Sequence, residues 1–124
     1  YRINTVAPMG LTRAFLPLLK ESADASVIFV GESHSEDPKA YWGGFGASKA
    51  ALNYLCKVAA DEWERFENLR ANVLVPGPVN SPQRMKTHPG EARSERKDYE
   101  EIMPDFVWWA SVESRGRSGE IVYL

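Results

Sequence analysis

Apolar residues recur along this chain in two rhythms, one suited to helices and one to buried strands. Ile3, Val6, Ala7, Leu11, Ala14, Phe15, Leu18 and Leu19 fall on one face at helical spacing and predict a first helix. Pro8 and Pro17 each lack an N–H and crowd the preceding turn, so this helix is expected to kink or to start late. Asn4, near its beginning, is a candidate helix cap. A polar turn follows at Glu21-Ser22-Ala23-Asp24-Ala25, and then Ser26 to Val30, an apolar run of strand length. Such a run between two helices predicts a parallel strand covered on both faces.

A second helical pattern begins near Phe45 and carries Ala47, Ala50, Ala51, Leu52, Tyr54, Leu55, Val58, Ala59 and Trp63. Its small residues allow close approach of another backbone, and the charged Asp61, Glu62, Glu64, Arg65 and Glu67 mark a solvated end. Arg70 to Val75 reads as a second buried strand, closed by the turn residues Pro76-Gly77-Pro78. From Gln83 to Lys97 the residues are polar and charged without periodicity, which predicts a mobile loop: a lid or a solvated linker. Asp98 to Ser111 returns to helical spacing through Tyr99, Ile102, Met103, Phe106, Val107 and Ala110. Trp108 and Trp109 fit a core better than an interface. Ser114 to Gly119 forms a turn, and Gly119 to Leu124 a last strand.

Composition narrows the class. With 124 residues, 44% of them hydrophobic, and a net charge of -2, residues 1–124 suit one small globular domain. The charge balance offers no basic face for a phosphate backbone, so nucleic acid is not an expected partner. No apolar run is long enough to span a bilayer, no metal-ligand cluster is evident, and a cytoplasmic setting is the default expectation. Cys56 is the only cysteine and sits in a helical pattern, where a small buried hydrophobe is its expected role.

The segment between the first strand and the second helix, Ser33 to Lys49, ends in Phe45-Gly46-Ala47-Ser48-Lys49. It resembles the catalytic segment of the short-chain dehydrogenase/reductase family, where a loop Ser precedes a Tyr-x-x-x-Lys pair. Tyr41-Trp42-Gly43-Gly44 stands where some of its reductases have Asn-Trp-Gly. The order of elements agrees over nearly the whole chain, down to the Ser118-Gly119 pair before the last strand. The resemblance implies an α/β fold, a partial Rossmann-like doubly wound parallel sheet of three strands with flanking helices. These are the fifth, sixth and seventh strands of a seven-stranded sheet, the C-terminal portion of the fold without its N-terminal cofactor half. The first of them would expose an edge. Both ends of the sequence read as cuts.

The same resemblance assigns catalytic places to Asn4, Ser33, Phe45 and Lys49, and cofactor contacts to Lys49, Pro76, Gly77, Val79 and Ser81. Asn4 would hold a water that links the lysine to solvent, and Ser81 would stand in for a cofactor-binding Thr. Ser33 lies one place nearer to position 45 than the commonest spacing, which falls on Glu32. The cofactor implied is NAD or NADP, but the Gly-rich turn that holds a dinucleotide pyrophosphate does not occur in the sequence, so binding by this chain alone is not expected. A Tyr hydroxyl, with a free pKa of about 10, exchanges protons near neutrality when an ammonium lowers it. Phe45 has no proton to give, and Tyr41 and His34 are the candidate substitutes.

The expected function is that of an oxidoreductase-family piece related to NAD(P)-dependent carbonyl and alcohol reductases, inactive as this chain. Two alternatives stand beside it: a non-catalytic dimerisation module, and a reductase active only when completed by a cofactor-binding half. A homo-oligomer through the helices at 5–20 and 46–66 is expected, with the substrate open.

Overall fold

The computed structural model describes all residues from Tyr1 to Leu124. Its centre is a three-stranded parallel sheet, β1 (Ala25–Val30), β2 (Leu69–Val75) and β3 (Ile121–Tyr123), in that spatial order. Parallel neighbours need crossovers, and here each contains a helix. Helix α2 (Gly43–Glu62) links β1 to β2, while α3 (Pro82–Thr87) and α4 (Tyr99–Ala110) lie between β2 and β3. Helix α1 (Ala7–Glu21) precedes the sheet.

Side chains alternate across a strand, and β2 uses both faces. Ala71, Val73 and Val75 meet Leu52, Cys56, Ala59 and Trp63, the buried stripe of α2 and its end, in a core that Met9, Leu16 and Leu19 of α1 also touch. Burial pushes the Cys56 thiol up to about 12, so it acts as a small hydrophobe. The other face carries the buried Leu74 and two polar residues, Arg70 and Asn72. The Arg70 guanidinium donates to Ser114 Oγ at 2.8 Å and to Asp24 Oδ1 at 2.5 Å, and Asn72 Nδ2 donates to the Arg117 carbonyl at 2.9 Å. Ser26 Oγ donates to the Trp109 carbonyl at 2.7 Å, so α4 lies over this face.

Two expectations change and one holds. β2 is buried along its whole length, but β1 is not: Ser26, Val27 and Ile28 are half-buried and Val30 is exposed, because β1 has only one neighbouring strand. The first helix starts late, as predicted, through a π-helical turn at Arg2–Val6, and Pro17 lies inside α1 without ending it. The segment from Gln83 to Lys97 is more ordered than its composition suggests. It contains most of α3, and Glu91 there accepts from both Arg84 and Arg96. Arg84 chiefly, with Arg96, holds the Glu91 carboxyl down to about 2.

Of the two tryptophans in α4, Trp109 is buried, as the pattern predicts. No helix is long and apolar enough to cross a membrane.

Candidate active site

Ligands of open parallel sheets gather at the carboxyl ends of the strands. Here β1 runs into Gly31 and Glu32, and β2 into Pro76 and Gly77. Between them lies a cavity of ≈ 400 Å³ that includes Glu32, His34, Trp42, Phe45, Val79 and Arg84 in its lining. Gly77 reaches it with φ +76°, a left-handed conformation that suits glycine, and a Cβ there would meet nothing within 4 Å.

Close approach between α2 and the loop after β1 builds the wall of this cavity. A Cβ at Gly46 would lie 2.8 Å from the His34 carbonyl oxygen, and one at Gly31 would lie 2.6 Å from a methyl of Val73. A side chain at either position would force its neighbours to shift. The close packing sets a short 3-10 turn, Ser33–Ser35, against the first turns of α2.

Phe45 faces the cavity, its ring edge-on to Trp42 at 5.7 Å between centroids. The Lys49 Nζ lies 5.9 Å from the Phe45 ring centre and donates to the Val30 carbonyl at 3.0 Å. Burial pulls the lysine below its ordinary pKa, and the nearby Glu32 carboxylate partly opposes this. Thus the two ends of the Phe-x-x-x-Lys pattern are brought together.

The other predicted residues divide. Asn4 sits in the π-helical turn, and its Nδ2 donates to Ser48 Oγ at 3.3 Å; it does not cap α1, whose N-cap is Val6. Single π-turns often mark functional positions, and this one joins the first helix to the residue beside Lys49. Ser33 Oγ donates to Glu32 Oε1 at 2.8 Å, and Glu32, not Ser33, lines the cavity. Val79 and Ser81 line it with Gly77; Ser81 also caps α3 by accepting from the Arg84 N–H at 3.2 Å. Tyr41 is fully exposed with φ +71° and does not line the cavity, which leaves His34 as the candidate substitute within it.

Sequence reading missed the aromatic wall. The Trp42 ring stacks with both His34, at 5.3 Å and 13° between planes, and His88, at 5.5 Å and 20°. Trp42 was visible in the catalytic loop, but His88 lies 46 residues away and carries no local signal. His34 Nδ1 is buried without a hydrogen bond and lies 3.4 Å from Glu32 Oε1.

Comparison with known proteins gives the family. Residues 1–92 match the family described as short chain dehydrogenase. The chain is 34% identical over 118 residues to the uncharacterized oxidoreductase YciK of Escherichia coli K12, covering 95% of this chain and 46% of that protein. It is 34% identical over 82 residues to a benzil reductase ((S)-benzoin forming) of Saccharomyces cerevisiae, covering 65% of this chain and 31% of that protein. The chain thus spans less than half the length of these relatives. Among solved structures, a Shigella flexneri protein of this type in complex with NADP superposes with a TM-score of 0.90 at 34% identity, covering 98% of this chain and 50% of that one. A Pseudomonas syringae structure gives a TM-score of 0.90 at 37% identity, with 97% and 49% covered. Fold, cavity and sequence relatives lead to one assignment: the chain belongs to the short-chain dehydrogenase family.

Proposed function

We propose that this chain carries the catalytic portion of a nicotinamide-dependent reductase of carbonyls, or dehydrogenase of alcohols, from which the tyrosine acid has been lost. The observation that supports this is the Phe45 ring in the cavity at the strand ends, 5.9 Å from the Lys49 ammonium, where a hydroxyl would face the ligand. Gly77, Val79 and Ser81 fit one end of a dinucleotide: they line the cavity, and the open space over Gly77 leaves its backbone accessible. A bound nicotinamide supplies or accepts hydride. NADP is the candidate suggested by the NADP-bound relative. The sequence contains no Gly-rich phosphate turn, so the chain by itself is expected to be inactive.

Within this reading, Lys49 orients ligand oxygens and keeps a positive field beside position 45. Its present partner, the Val30 carbonyl, must give way for that. Losing a general acid costs about 10²- to 10⁴-fold. In a chimera that supplies the cofactor half of a matched relative, Phe45→Tyr is therefore expected to raise reduction of a model ketone by about tenfold or more. An unchanged rate would remove the reading of Phe45 as a lost acid.

A second role is supported by α1, which has no buried residue and exposes Leu11, Phe15 and Leu18, while α2 exposes Tyr54. We propose that these helices pair with a second copy. Two long helices per subunit can reach the roughly 1,200–2,000 Å² of a specific interface. Ala51→Arg is expected to shift the assembly towards monomer in light scattering, with helical circular dichroism retained. A wild-type monomer at high micromolar concentration would sink the proposal.

A further inference from the structure

With no hydroxyl at position 45, the question is which group in the cavity can hold a proton. Glu32 and His34 are the two titratable side chains that meet at its wall. Both are largely buried, with 23% and 16% of their side chains exposed. Glu32 stands at the position that the commonest family spacing gives to serine, and its Oε1 already accepts from Ser33 Oγ at 2.8 Å. The same oxygen lies 3.4 Å from the buried His34 Nδ1, which makes no hydrogen bond.

The imidazole is held in place by its surroundings. Its face lies on Trp42, and the close passage of Gly46 beneath the His34 carbonyl fixes the backbone that carries it. Other charged or titratable groups around the pair are Lys49 on α2, Arg84 on α3, and His88 beyond Trp42. Arg84 is engaged by Glu91, and Lys49 by a backbone carbonyl. The group best placed to share a proton with Glu32 is therefore His34.

We propose that Glu32 and His34 form the proton-exchanging pair of this cavity, Glu32 orienting the ring through Nδ1–H and His34 presenting Nε2 to the oxygen of a carbonyl or alcohol ligand. This rests on the reading of the cavity as a carbonyl or alcohol site. In the reducing direction, imidazolium Nε2–H gives its proton to the ligand oxygen as the carbonyl carbon takes up hydride from the reduced nicotinamide. The ring is left neutral and regains a proton from solvent. His34 would be catalytic, and Glu32 a positioning residue. Imidazole suits this task because it exchanges protons near neutral pH.

The test has two parts. In the chain itself, ¹⁵N-resolved NMR of the histidine rings is expected to show a slowly exchanging downfield Nδ1 proton on His34. It should vanish in Glu32→Ala and persist in Ser33→Ala. Its absence from the wild type, or its survival in Glu32→Ala, overturns the pair. In the chimera described above, His34→Gln is expected to lower the residual rate by about tenfold or more and to remove the fall in turnover towards alkaline pH. Tyr41→Phe is expected to change neither. A gain from Phe45→Tyr with no loss from His34→Gln overturns the pair while the reductase reading stands. A chimera that binds cofactor yet is inert in every variant overturns both.

Discussion

The two ends of the β1–β2 pair are built to opposite rules. At the end where the strands begin, Arg70 is 2% exposed and its guanidinium makes four hydrogen bonds: Nη1 and Nη2 reach Asp24 at 2.5 and 3.1 Å, Nε reaches Ser114 at 2.8 Å, and Nη2 also reaches the Ser111 carbonyl at 2.7 Å. Arg115 adds a second cation to Asp24 at 3.0 Å. At the end where the strands finish, buried polar atoms lack partners: His34 Nδ1 and Asn53 Oδ1. An unsatisfied buried group costs about 1–3 kcal/mol. The contrast separates a polar cluster whose charged groups are paired from a region that leaves two buried polar atoms without a hydrogen bond.

Disrupting the first cluster should have the largest effect. Asp24→Ala leaves Arg70 buried beside a lost partner and is expected to cost about 3 kcal/mol, read from urea unfolding midpoints. The carboxyl of Asp24 is held down to about 2, chiefly by its hydrogen bonds to Arg70. A lowered carboxylate pKa stabilises above the unfolded value and loses that contribution as pH falls through the folded one. The stability gap between wild type and Asp24→Ala should therefore close between about pH 4 and pH 2. A gap that stays constant over that range would mean that Asp24 is not the titrating partner.

A smaller effect tests the second cluster. Replacing a helix-interior glycine by alanine normally stabilises by about 0.5–1 kcal/mol, and Gly10→Ala in α1, where a Cβ meets nothing within 4 Å, should do so. Gly46→Ala in α2 should have the opposite sign, about 1–3 kcal/mol destabilising, because its Cβ would press on the His34 carbonyl. Thermal unfolding of the two variants side by side decides it. Equal gains would mean that the loop carrying His34 yields at little cost.

How much of this was legible follows the range of each signal. The β1 and β2 runs, the α2 stripe and the Phe45–Lys49 spacing are local patterns, and the structure contains each of them. Asn4 and Ser33 were named by position, but their hydrogen-bond partners depend on how α1 and the loop after β1 meet α2. Arg70 and Asn72 lie inside the run that reads as a buried strand. Their side chains bond to groups more than forty residues away, which no window of sequence displays. The order within 83–97 was missed for a related reason: the ion pairs that join Arg84, Glu91 and Arg96 follow no helical or strand period.

The single-sided pairing of β1 also has a kinetic signature. Residues of a parallel strand turn their amides alternately to one neighbour and the other. Ala25 and Gly31 donate inward, to Asn68 and Leu74 at 2.7 and 2.8 Å, so Val27 and Phe29 turn inward with them. Ser26, Ile28 and Val30 turn towards the free edge, where Lys49 takes the Val30 carbonyl. In deuterated water the outward amides should exchange through local fluctuation while the inward ones wait for the sheet to open. The result is a sawtooth of fast and slow protons along one strand, and a strand laid against that edge would erase it.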